Sequence, residues 1–337
     1  MIMKKIVLIF CILCATHHSM AQNVTARFSF DNSTIKSSVV FDTEYNLGKL
    51  LTEINSACNE GREIHTVGIP MTDFARKAVT TLWKNIHFKT ERNDIKDRLW
   101  IFQRNRMMEA HHIPIILVDD SPLNNNRQDA VVEFTLDGKI SDFRFAIDPE
   151  VSESLESSEG NVAELEEQAI IRKYVERFRT AYNEKDIDFL NRMFSDDALI
   201  ITGNVVNVKT AEEGFRQKVV YNKYNKTQYL QNLLRCFKRN KWIKVNFSLI
   251  DNPAENGGKS KFITHRKGKD GRNYYGVRLR QEWHSSRGYH DEGYVFLLWE
   301  FPENGDPMIH VRTWQPEKIN GRKLEINEIF SEVDFNK

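Results

Sequence analysis

The sequence predicts an α+β protein in two parts, and three observations predict it. Residues 148–161 read DPEVSESLESSEGN, a Ser- and Glu-rich stretch almost without large apolar residues that opens on Asp-Pro, the composition of a linker. Amphipathic helical patterns precede β-type runs on both sides of it. From residue 242 onward the chain reads almost wholly as β. A chain of 337 residues also exceeds what a single core usually fills. The predicted division is a leader over 1–21, an α+β domain over 22–148 ending in a β-hairpin, a linker over 149–161, a larger α+β domain over 162–316, and a C-terminal tail over 317–337 packing on its sheet.

The N-terminus carries Lys4 and Lys5, then a run of roughly ten apolar residues over 6–15, then Ser19-Met20-Ala21. That is the order of a signal peptide with a cut after Ala21, and the run is too short to span a bilayer. A soluble exported protein, periplasmic or secreted, is therefore expected. Losing Lys4 and Lys5 takes the formal net charge from +1 to −1. A near-neutral chain has no bulk charge with which to hold nucleic acid, and no second apolar run reaches membrane-spanning length. Of the four cysteines, Cys58 and Cys236 lie beyond the leader on the apolar faces of predicted helices, where buried free thiols are expected, and no spacing matches a zinc or redox motif.

Leu47, Leu50, Leu51, Ile54 and Cys58 predict a first helix with Gly61 past its end. Thr72 can cap a second helix whose apolar face is Phe74, Ala75, Ala78, Val79, Leu82 and Trp83. Strands are predicted over 99–103, 113–118 and 130–136, the last turning at Asp137-Gly138 into 139–147, a strong hairpin signal. After the linker, Ile171, Tyr174, Val175, Phe178 and Tyr182 keep helical spacing. Asp186 can cap a short helix through Leu190 and Phe194. A strand over 198–202, a helix over 227–238 with Leu230, Leu233, Leu234 and Phe237, and strands over 242–250, 274–285, 293–301 and 308–315 complete the order. Residues 252–272 form a basic loop, read as a solvated hairpin connection.

Helix, short helix, strand, helix and a run of long antiparallel strands resembles the NTF2-like superfamily, including its SnoaL-like and ketosteroid-isomerase-like members. The wording is similar too: Tyr182-Asn183-Glu184-Lys185-Asp186, then Phe189-Leu190, Met193-Phe194 and Asp196-Asp197-Ala198-Leu199-Ile200. The closing strands, residues 292–301 and 309–316, look like a secreted branch from the Bacteroidetes. The resemblance covers about residues 162–316 and implies a cone: helices packed on a curved antiparallel sheet. Residues 22–148 could be a degenerate repeat of it. The resemblance speaks for fold and little for function, because this fold hosts enzymes, carriers and interaction modules alike.

The strand over 274–285 puts Tyr275, Val277, Leu279, Gln281 and Trp283 on one face, and that face would line the cone. Residues 294–301 are apolar on both faces, so something must cover the outside as well: the first domain, the tail, or a second subunit in a homodimer. His310, Arg312 and Trp314 are expected to share one face of the last strand, a cation between an imidazole and an indole that suits a carboxylate or a sugar, or else a surface ladder pairing with Glu282 or Glu300. The ligand-pocket candidates are thus Tyr182, Tyr275, Gln281, Trp283, Trp299, His310, Arg312 and Trp314. The turn from His284 to Glu292 gathers two imidazoles and two carboxylates, but a polar hairpin turn needs the same residue types.

Carboxylates fall mainly at helix starts, turns and outer faces. No nucleophile triad, phosphate loop or metal motif is present, and no position matches the isomerase's catalytic motif. No catalytic residue, metal or cofactor is expected. The expected function is non-catalytic, either binding of a small apolar, carboxylate or sugar ligand or interaction with another protein. A cofactor-independent isomerase, cyclase or hydrolase using the cone is the alternative.

Overall fold

The computed structural model describes residues 24–31, 38–102, 107–118, 126–147, 162–210, 214–251, 263–302 and 305–335. The leader, the linker and the start of the basic loop (252–262) lie outside the described residues.

The first half runs β1 (Arg27–Phe30), α1 (Ser38–Glu60), α2 (Asp73–Asn85), β2 (Phe88–Thr90), β3 (Asp94–Asp97), β4 (Trp100–Phe102), β5 (Met107–Leu117), β6 (Arg127–Phe134) and β7 (Ile140–Phe145). The i, i+3, i+4, i+7 spacing of Leu47, Leu50, Leu51 and Ile54 buries all four completely. Thr72 caps α2, its hydroxyl accepting from the Ala75 N–H at 3.1 Å. Phe74 departs from expectation: it is exposed, with the Arg177 guanidinium 4.7 Å above its ring. The main sheet is ordered β2-β5-β6-β7 with β4 beside β5, and it curls around α1 and α2 in a single core. The β6–β7 hairpin turns where expected. Gly138 has φ 81°, and a Cβ there would lie 3.2 Å from the Thr43 Oγ1 and 3.3 Å from the Val39 carbonyl, so glycine is required twice over. The parallel β1–β3 pair was not legible, because each strand is four residues long and carries too few apolar positions to show a period.

The second half runs α3 (Val162–Glu184), α4 (Ile187–Met193), β8 (Phe194–Thr210), β9 (Gly214–Tyr224), α5 (Lys226–Arg239), β10 (Ile243–Ser248), β11 (Ile263–Lys267), β12 (Asn273–Ser285), β13 (His290–Glu300) and β14 (Met308–Pro316). Asp186 caps α4 and Asn225 caps α5 in a capping box with Gln228. The seven-stranded sheet is ordered β10-β12-β13-β14-β8-β9, with β11 on β12. Its ladders are antiparallel except β14–β8, which is parallel. The three helices fill its concave side around Phe178, Tyr182, Phe194, Leu233 and Trp299. This is the expected cone of helices packed on a curved antiparallel sheet, with an additional α+β region before it. The strand expected over 198–202 is far longer and returns as β9. The two form a ribbon whose Val205, Val208 and Phe215 are solvent-exposed, so no buried face imposed an alternation on the sequence.

Strand β13 is apolar on both faces as read. Val295, Leu297 and Trp299 face the helices. On the outer face the chain's own C-terminal segment provides the cover: Tyr294 packs with Leu324 and Ile329, and Phe296 stacks on Phe335 at 5.7 Å with Phe330 beside it.

The two halves meet through a buried ionic cluster between β5–β7 and α3. Glu109 accepts from Arg144 at 2.8 Å and from Arg172 at 3.1 Å, and lies 2.8 Å from His111. Arg144 also reaches Glu176 at 2.9 Å and Asp142 at 3.2 Å, and all six of these residues are buried. Burial lowers the pKa of His111 to about 4, and the neighbouring Arg172 pushes it the same way.

Candidate functional site

Two cavities compete for attention. The larger, about 720 Å³, is an open cleft between β1 and α1 flanked by Phe41 and Tyr45. Its acids already have partners: Glu44 accepts from the Phe30 N–H, and Glu53 is held by Arg62 and the His65 N–H. The smaller, about 350 Å³, opens into the cone between α5 and the inner faces of β8, β12, β13 and β14. It is the chemically unfinished one.

Its walls follow from strand period and register. Gln281 and Trp283 lie on the inner face of β12 and line it. Trp283 stands edge-on to Tyr182, ring centres 5.6 Å apart. Opposite Gln281 in the ladder is Gly293, where a Cβ would come within 2.7 Å of the Trp314 ring and 2.2 Å of the Gln315 carbonyl. The missing side chain is what lets the Trp314 indole lie against this wall. Opposite Trp283 is Asp291, on the same face and in the same cavity.

Strand β14 carries a bulge. Trp299 pairs with Ile309, Leu298 with Val311 and Leu297 with Arg312, with the shift between 298 and 299. Ile309, Arg312 and Trp314 consequently face the cone, whereas His310 turns to the outer side. The expectation that His310, Arg312 and Trp314 share a face is corrected: His310 lies 2.7 Å from the Glu300 carboxylate and edge-on to Tyr274. Tyr275 and Trp299 point inward but are core. Tyr275 packs on Phe301, and Trp299 is fully buried against Phe178 and Phe301. Tyr182 sits behind the cavity wall, its hydroxyl 2.8 Å from that of Tyr229. The structure thus gathers Gln281, Trp283, Arg312 and Trp314 at one cavity, with Tyr182 directly behind.

The site's electrostatics centre on Arg312. It is 4% exposed. Its Nη2 donates to the Gln281 amide oxygen at 3.4 Å, and its guanidinium faces the rings of Tyr229 at 5.2 Å and Tyr182 at 6.0 Å. Among the described residues no carboxylate comes within 4 Å of it, and its Nε has no hydrogen-bond partner. The Trp314 Nε1 and the Asp291 Oδ1 are likewise buried without partners. The other Asp291 oxygen accepts from the Tyr289 hydroxyl at 2.6 Å. Burial raises the Asp291 carboxyl above its ordinary range, against the opposing pull of Tyr289 and Arg312. The Cys236 thiol, on α5 at the same cavity, is also raised by burial.

Sequence reading missed Asp291, Tyr229 and Cys236 as site residues. No local signal marked Asp291; the ladder alone places it opposite Trp283. Among the described residues no group of three His, Cys, Asp or Glu is arranged to hold a metal ion. In the turn at 284–292, His284 and His290 stack at 4.2 Å, and His290 lies 3.3 Å from Glu292.

No family model matches the chain, and no curated protein matches it. Solved structures do. One is an NTF2-like protein of unknown function from Pseudomonas putida KT2440, 13% identical, covering 46% of this chain and 92% of that one with a TM-score of 0.31. Another is an NTF2-like superfamily protein from Salmonella enterica serovar Typhimurium, 12% identical, covering 48% and 96% with a TM-score of 0.29. The protein Bd1075 of Bdellovibrio bacteriovorus is 9% identical over 65% of this chain and 91% of its own, TM-score 0.32. The chain therefore has structural matches to NTF2-like proteins over about half its length, and none of them carries a function to it.

Proposed function

We propose that the cone is a small-molecule binding site whose ligand has a compact apolar body and a carboxylate head. The observation that carries this reading is Arg312. A guanidinium taken out of water without a paired carboxylate costs several kcal/mol, and Arg312, its Nε unpartnered, lines the same cavity as Trp314, whose N–H is unpartnered too. A carboxylate would satisfy both donors, with the Arg312 bond charge-assisted. Trp283 and Leu233 supply apolar wall for the rest of the ligand. The leader-like N-terminus and the resemblance of the closing strands to secreted Bacteroidetes members favour an exported protein that meets this ligand outside the cytoplasm.

Thermal unfolding with a panel of aryl- and alkyl-carboxylates tests the reading. At least one should raise the melting temperature of the wild type, and none should raise that of Arg312→Met. If Arg312→Met responds as the wild type does, the carboxylate reading fails.

Asp291 favours a second reading, cofactor-independent acid–base catalysis in the same cavity. A carboxyl raised by burial beside a hydroxyl donor and a cation is what a proton-transfer isomerase, cyclase or hydrolase needs. Turnover abolished in Asp291→Asn while ligand binding persists would establish it.

A further inference from the structure

Resting on the carboxylate-binding reading, we propose that the cone binds its ligand together with one proton, carried on Asp291 as a carboxylic acid that donates to the bound carboxylate. Asp291 and Arg312 line one cavity of about 350 Å³, yet they form no ion pair with each other. Each instead keeps a buried polar atom without a hydrogen-bond partner at its wall: Nε of Arg312 and Oδ1 of Asp291. A ligand carboxylate that accepts from Arg312 in so small a space also meets the Asp291 oxygen. Two carboxylates in such a space cannot both stay ionised, because like charges at short range force one to take a proton. An acid facing a carboxylate then forms a short charge-assisted bond.

Asp291 is the group placed to carry that proton. Its Oδ2 is fixed by the Tyr289 hydroxyl, which leaves Oδ1 as the oxygen still without a partner. The groups facing it are few: Tyr289 and His290 on its own hairpin, Cys236 from α5 and Arg312 from β14 act on it electrostatically, and β12 presents the neutral Trp283 and Gln281. Among the described residues lining the cavity Arg312 is thus the one permanent charge, and the bound ligand cancels it. With Asp291 neutral the filled site carries no net charge. With Asp291 ionised it carries one buried negative charge. Burial also raises this carboxyl above its ordinary range before any ligand arrives, so part of the protonation cost is already met.

The probe is 4-phenylbutyrate, an aryl carboxylate small enough for the cavity. Calorimetric titration of the full chain at several pH values between 6 and 9, each in two buffers of different ionisation enthalpy, measures both affinity and proton uptake. The wild type should take up close to one proton at the alkaline end, with affinity falling about tenfold per pH unit there. Asp291→Asn, whose amide N–H can still donate, should bind within about threefold of the wild type's best affinity, with no uptake and a flat pH profile. Circular dichroism melts confirm that it is folded, and Tyr289→Phe provides a second variant that should keep the uptake. Wild-type binding without proton uptake, or uptake that persists in Asp291→Asn, overturns the coupling while leaving the carboxylate site standing. A wild type that does not bind at millimolar probe overturns both.

Discussion

Single residues at the cone separate wall from core. Trp283 lines the cavity on one side and meets Tyr182 edge-on from the other. Trp283→Ala should therefore abolish the carboxylate-induced melting shift while costing less than the roughly 3–5 kcal/mol of a fully packed Trp. A loss of that full size, read by denaturant unfolding, would place Trp283 in the core instead. Arg312→Met carries the opposite sign. Removing a buried cation without a counter-ion and filling its volume with a thioether should leave the unliganded protein as stable as the wild type or up to a few kcal/mol more stable. Equilibrium unfolding of the ligand-free variant checks this, and a marked destabilisation would show that the contacts of Arg312 with Gln281, Tyr182 and Tyr229 outweigh its desolvation. The Trp283 side of the site was legible from period-two alternation alone. Asp291 was not, because it reads as one more polar residue of a turn until the ladder pairs it with Trp283.

At the scale of elements, β13 and β14 show how far a pattern reaches. The doubly apolar run of β13 correctly demanded cover on both faces, but the identity of the outer cover lies in segments distant in sequence. Phe330 and Phe335 fold back onto Phe296 to provide it. Deleting residues 324–337 should bare that face, and size-exclusion chromatography should then show self-association where the full chain elutes as before. The bulge in β14 inverts the expected face of His310, and no local residue announces it. Gly293 is the matching case on β13: any Cβ collides with the Gln315 carbonyl at 2.2 Å. Gly293→Ala should both destabilise the sheet by about 1–3 kcal/mol and displace the Trp314 indole from the cavity, which intrinsic fluorescence and ligand titration together would detect.

Across the whole molecule the decisive feature is the ionic junction between the halves. Arg144→Met removes one partner from Glu109, Asp142 and Glu176 at once, so it should cost about 3–5 kcal/mol by leaving buried charge uncompensated. Glu184 lies at the edge of the same junction, 3.8 Å from Arg177, and burial raises its carboxyl to about 8. Because that folded value lies above the unfolded one, its contribution is complete below about pH 4.5 and is lost as pH rises through 8, at up to about 1.4 kcal/mol per unit. His111, lowered to about 4, acts the other way: stability is lost as pH falls from about 6.5 through 4. Between about 4.5 and 6.5 the two slopes oppose, so net loss from this pair should begin above about 6.5. Glu184→Gln should flatten the fall between 6.5 and 8, and urea melts across that range measure it.

The sequence by itself determined the class, the helices, the central hairpin of the first half and the doubly covered strand of the second. Each is written in a period, a cap or a turn residue that acts within a few positions. It also determined which face of β12 turns inward, since alternation there is unbroken from Tyr275 to Trp283. Only the tertiary structure decided which residues meet. The register across a single hairpin turn sets Asp291 beside Trp283, the bulge sends His310 out and keeps Arg312 in, and the packing of α3 on β7 brings Glu176 to Arg144. These depend on contacts between residues 8 to 32 positions apart, and such pairings are chosen by the free energy of the whole fold, where a single residue's propensity has little weight.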